Sequence, residues 1–222
     1  MRNKNHIVKS YDEDLNNLQE NIIKMIKLAE KQLSNLYIAI SEKKHDLLNT
    51  IINQDDPINE LDKHIINSSI DILSLRNPVA YDLRFVFTSS HISKNIERIG
   101  DNVVNIADAF LSLNTHSGEI DSKILEMIHI LIEMTLNTER NLINKDIQMT
   151  KETALKDKII DNYHNQTISL ALNKIQSNSQ SINDLHRYLL VARSLERVGD
   201  HFVNICKQIC FIETNKTDIL NT

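Results

Sequence analysis

The sequence predicts an all-α fold of two tandem, pseudo-symmetric three-helix bundles built from six long helices. Three observations predict it. First, the 222 residues include 3 Gly and 2 Pro, where an average chain carries ~12% of the two together. With so few breakers, tight hairpins have no turn residues, and a sandwich or barrel is disfavoured. No GxGxxG or GxxxxGK[ST] stretch exists, which removes the Rossmann and P-loop sites. Second, apolar residues recur at three and four along most of the chain. Third, one eleven-residue motif occurs twice at an offset of 99 residues.

The elements follow in order. Leu15, Leu18, Ile22, Ile26, Leu33, Leu36 and Ile40 predict a first helix over about 11–48. Asp55-Asp56-Pro57 supplies a cap followed by Pro at the first helical position. A second helix then carries Ile58, Leu61, Ile65, Ile72 and Leu75 until Asn77-Pro78 ends it. The third runs over about 80–113. Asn114-Thr-His-Ser-Gly118 is the most loop-like stretch. It separates a first repeat, 1–115, from a second, 119–222. There the pattern restarts, with helices over about 120–148, 151–175 and 183–212. The polar run Ser177–Ser181 parts the last two, and the tail after Glu213 is expected to fray.

Composition narrows the function. Aromatics are 5% with no Trp, so the core is aliphatic; the net charge of −5 disfavours general nucleic-acid binding. No apolar run approaches 18 residues, so no membrane insertion is expected. The charged start shows no signal peptide. Cys206 and Cys210, four apart, suit packed thiols in a reducing compartment better than a disulfide.

The repeated motif is Glu97-Arg-Ile-Gly-Asp101-Asn-Val-Val-Asn105-Ile-Ala107 against Glu196-Arg-Val-Gly-Asp200-His-Phe-Val-Asn204-Ile-Cys206, identical at seven of eleven positions. On a helical wheel Glu97, Asp101 and Asn105 share a stripe opposite Ile92, Ile96, Ile99, Val103 and Ile106. Glu196, Asp200 and Asn204 repeat it. The stripe is therefore expected on the outside of each bundle. Paired carboxylates at i and i+4 repel by about 0.2–0.5 kcal/mol. A cation relieves that, and oxygen donors suit Mg, Mn, Fe or Zn. Gly100 and Gly199 stand in helix interiors where Gly costs ~1 kcal/mol against Ala, which signals a close approach. Asp157 and Asp161 on the fifth helix, and Asp55 with Asn59 on the second, supply matching donors. The second repeat then has four carboxylates and the first one charge fewer, so the first site is expected to be weaker. His164 and His201 are possible additional ligands, with Asn105 and Asn204. The plain alternatives are a solvated acidic face, helix capping by Asp55 and Asp157, and surface histidines.

With Tyr11-Asp-Glu-Asp-Leu15, Asp55-x-x-Ile58 and Pro78-x-Ala80-x-Asp82-Leu-Arg84, these motifs resemble the PhoU family of phosphate-uptake regulators over nearly the whole chain. The resemblance implies two three-helix bundles bearing multinuclear iron or zinc clusters. It implies the ligands Glu97, Asp101, Glu196 and Asp200 with the acids of the second and fifth helices. It also implies a cytoplasmic, non-catalytic negative regulator that often dimerises. Such a protein couples the ATPase subunit of a phosphate ABC transporter to a sensor histidine kinase. Asn59 stands where the family usually has an acid, and the second repeat has Asn183-Asp-Leu-His-Arg187 in place of Asp-Leu-Arg.

Two other functions compete. A di-iron enzyme needs inward Glu-x-x-His pairs. Glu42-x-x-His45 and Glu126-x-x-His129 exist, but the wheel turns both outward. A metal-free helical scaffold needs only the fold.

Overall fold

The computed structural model describes residues 4–53, 57–177 and 180–216, and the side chains of residues from 10 onward. Eight helices and no strand occur among them: α1 (Lys4–Ser41), α2 (His45–Asn53), α3 (Pro57–Arg76), α4 (Ala80–Leu111), α5 (Gly118–Asn144), α6 (Ile147–Leu155), α7 (Asp157–Gln176) and α8 (Ile182–Thr214). Six are long; α2 and α6 have nine residues each.

The two short helices correct the expected boundaries. The first helix does not run on to Leu48. Glu42–Lys44 offers no apolar residue to continue the stripe, and Lys43 turns left-handed at φ 54°. The chain bends there, which lets Leu48 and Ile51 reach the core. Likewise α5 stops at Asn144 on a left-handed Lys145, φ 57°. Asp146 then caps α6, its carboxylate accepting from the Met149 amide at 2.9 Å.

Each bundle buries an aliphatic stripe. Ile22, Ile26, Leu33 and Leu36 of α1 meet Ile58 and Ile65 of α3 and Ile92, Ile99 and Val103 of α4. In the second repeat Ile124, Ile128, Ile160, Leu195, Val198 and Phe202 do the same. The bundles join along α4 and α8, which run antiparallel. Arg84 Nε donates to the Ile212 carbonyl at 2.9 Å, and Tyr81 OH donates to Glu213 at 2.9 Å. Lys145 sits 4.2 Å from the Tyr81 ring centroid, bringing the end of α5 to the same corner. At the opposite end, Asp184 of α8 is fully buried and accepts the amides of Asn114 (3.0 Å) and Thr115 (3.2 Å) from the inter-repeat loop.

Candidate metal centre

The acidic motif of the second repeat lies in the α7/α8 groove. Asp157 is the first residue of α7, and its carboxylate lies directly over Gly199. A Cβ at Gly199 would overlap Asp157 Oδ1 and come within 3.2 Å of Ile160 Cδ1. Glycine is what lets the two helices close here. Asp157 Oδ1 is buried without a hydrogen-bond donor, a costly state for an acceptor. Burial, then the charges of Asp161, Asp200 and Glu196, push Asp157 from 3.8 up to about 7. Burial and Asp200 likewise raise Glu196, against the lowering influence of His164. The expected quartet of Asp157, Asp161, Glu196 and Asp200 is therefore one electrostatic cluster. No Lys or Arg among the described residues lies within ion-pairing distance of it.

The first repeat differs. Glu97 is not on an open outer face as the wheel suggests; its side chain is 12% exposed, because α3 covers that side of α4. Lys94 Nζ lies 2.9 Å from Glu97 Oε2, and Arg98 pairs with Asp101 at 3.3 Å and Glu97 at 3.6 Å. Asp62 of α3, which the sequence reading passed over, is buried beside them. It accepts from Ser93 Oγ at 2.7 Å and faces Lys94 at 3.8 Å. A signal for it existed. Ile58 and Ile160 both pack on the motif glycine, which fixes a 102-residue offset between α3 and α7, and that offset pairs Asp62 with His164. Over Gly100 stands the amide oxygen of Gln32, buried and unpartnered, 3.3 Å from where a Cβ would be. Asn59 is on α3 as expected, and Asp55 lies outside the described residues.

The supplementary donors separate. His164 is half-buried on the side facing Glu196. His201 turns toward the other repeat, its Nδ1 3.0 Å from Asn95 Oδ1 of α4. Asn105 is exposed and Asn204 half-buried. Cys206 and Cys210 are buried free thiols, and burial raises both. Glu42, His45, Glu126 and His129 are all exposed, facing away from any core as the wheel indicates.

Among the described residues, no three His, Cys, Asp or Glu side chains already converge on one point. The second repeat nonetheless fits a hard or borderline cation by its chemistry: four carboxylates, mutual repulsion and an orphaned oxygen aimed into the groove. In the first repeat Glu97 Oε2 is likewise buried without a hydrogen bond, but Lys94 Nζ lies 2.9 Å from it and Arg98 pairs with Asp101, so these acids already have cationic partners.

The family model described as the PhoU domain matches residues 22–110 and again 124–209, one match in each half of the chain. The chain belongs to the PhoU family. A PhoU homologue from Clostridium acetobutylicum, described as a phosphate-specific transport system accessory protein, is 29% identical over 215 residues, 96% of this chain and 98% of that one. One from Xylella fastidiosa is 30% identical over 208 residues, 93% of this chain and 88% of that one. The crystal structure of the phosphate transport system regulatory protein PhoU from Streptococcus pneumoniae superimposes with TM-score 0.86 at 26% identity, covering 93% of this chain and 98% of that one. PhoU from Pseudomonas aeruginosa, at 22% identity, shares the fold with TM-score 0.88, covering 93% and 100%. These relatives are named as accessory or regulatory proteins, not as enzymes. No helix among the described residues is long and apolar enough to cross a membrane.

Proposed function

We propose that this PhoU protein is a cytoplasmic negative regulator of phosphate uptake and of the phosphate-starvation response. It works as the accessory component of a phosphate-specific transport system. The carrying observation is the family match in both halves, with relatives of that description aligned over nearly their full length. Its partners in this reading are the ATPase subunit of the phosphate ABC transporter and a phosphate-sensing histidine kinase, and it acts as a homodimer.

In the second repeat, Asp157, Asp161, Glu196 and Asp200 hold iron or zinc, with manganese or magnesium also compatible with oxygen donors. Bound metal supplies positive charge and open positions that attract phosphate or a partner's carboxylates. The protein's own part is to set the donors. Gly199 admits the Asp157 carboxylate between the helices, and Ile160 closes the apolar wall behind it.

The test is complementation of a strain lacking its own PhoU. Phosphate uptake and a starvation-responsive reporter are read at high and low phosphate, with co-purification of the ATPase and kinase. Wild type restores repression at high phosphate, and Glu196→Ala with Asp200→Ala abolishes both metal content and repression. If repression survives while the metal is gone, the protein is a metal-free scaffold, a reading favoured by the absence of converged donors among the described residues. If wild type restores nothing, the regulatory reading fails.

A further inference from the structure

The two repeats carry the same motif but not the same charge around it. In the first, among the described residues, three carboxylates (Asp62, Glu97 and Asp101) face two cations, Lys94 and Arg98, and Asp55, at the Asp157 position, lies outside those residues. In the second, four carboxylates face no ion-paired cation among the described residues. The counterparts on α8 of Lys94 and Arg98 are Arg193 and Arg197, both exposed. Arg193 lowers Glu196 by its charge without forming an ion pair with it.

We infer that Lys94 closes the first repeat to metal, its ammonium lying between the acids of α3 and α4 where a metal ion would bridge them, so that this protein loads metal through its second repeat alone. The inference rests on the reading that the second repeat binds metal.

Two features beyond Lys94 point the same way. Asp62 occupies the position of His164. A neutral imidazole is a metal ligand, whereas a buried carboxylate with one oxygen taken by Ser93 presents its other oxygen to the ammonium. Asn59 takes the position of Asp161, removing an anionic donor. A lysine ammonium is a compact point charge with three donors. A metal entering the first repeat has to expel that charge, then break the Arg98 pairs to free Asp101 and Glu97.

The experiment uses the full chain, stripped with chelator, reloaded with Zn²⁺ and desalted. Metal per chain is measured by elemental analysis, and circular dichroism confirms folding. Glu196→Gln with Asp200→Asn is expected to lower retained zinc about tenfold or more. Glu97→Gln with Asp101→Asn is expected to leave it unchanged. Lys94→Met, which keeps the apolar stem and removes the charge, is expected to raise zinc per chain, and Lys94→Arg to leave it at the wild-type level. A loss of zinc on Glu97→Gln with Asp101→Asn overturns the inference while leaving the metal reading intact. Unchanged zinc in Lys94→Met overturns the role given to Lys94. Zinc that is absent from wild type, or unaffected by Glu196→Gln with Asp200→Asn, overturns the underlying metal reading and the inference together.

Discussion

Replacing Asp157 by Asn should stabilise the metal-free protein, and only above the acidic range. Asp157 ionises near 7 in the folded chain against 3.8 for an ordinary aspartate. At ~1.4 kcal/mol per pH unit that difference corresponds to about 4 kcal/mol. The carboxyl is only half-buried, so solvent screening reduces the usable figure to about 1–2 kcal/mol. A raised acid pKa means that the folded state holds the proton more tightly than the unfolded state. Stability from this group is therefore greatest below pH ~4, falls as pH rises from ~4 to ~7, and is flat above. Asn cannot ionise and escapes that loss. For a chain of this length, 1 kcal/mol moves Tm by about 2–4 °C. Thermal melts of chelator-treated protein should show Asp157→Asn roughly 2–8 °C above wild type at pH 8, with the gap closing toward pH 4.5. A gap that is absent at pH 8, or equally large at both pH values, would refute the account of Asp157 as a repelled, desolvated carboxylate.

Gly199→Ala places a methyl where the Asp157 carboxylate sits and drives that group toward solvent. The decline in Tm between pH 4 and 7 should flatten and zinc retention should fall, whereas Gly100→Ala, with only 3.3 and 3.5 Å contacts to Gln32 and Ile58, should alter neither. Asp184→Ala leaves two part-buried loop amides without their charged acceptor. At ~1.5–3 kcal/mol per such bond it should cost about 3–4 kcal/mol by urea unfolding, and a loss below ~1 kcal/mol would show that the loop is not pinned by α8. Zinc at ~100 times its Kd should add about 2.7 kcal/mol to wild type, reversibly with chelator, and add nothing to Glu196→Gln with Asp200→Asn.

Helix content, the repeat and the second-repeat quartet were legible because they rest on local signals: apolar period, breaker positions and duplicated spacing. The ends of α1 and α5 were not: Leu48 continues the apolar period past the first break, and no Gly or Pro marks either one. Only the needs of packing and the left-handed Lys43 and Lys145 decide where the chain turns. The exposure of Glu97 was misjudged because a wheel shows one helix and not the neighbour that covers it. Asp62 and Lys94 escaped for a related reason. Their meaning depends on the α3/α4 contact, and Lys94 at i−3 from Glu97 looks in sequence like any surface pair. His201 illustrates the same limit, being next to Asp200 in the chain but bonded to the other repeat.

The antiparallel seam between α4 and α8 has a consequence for how the chain is made. Arg84 waits for the carbonyl of Ile212, and Tyr81 for Glu213, across separations of 128 and 132 residues. At ~5–20 residues per second on the ribosome, α4 spends on the order of ten seconds without its partner. During that interval the first repeat can fold on its local contacts while one flank of α4 stays bare. Nascent chains of this protein therefore present a transient sticky helix that the finished molecule hides, and chaperone capture should concentrate on chains stalled before α8 emerges.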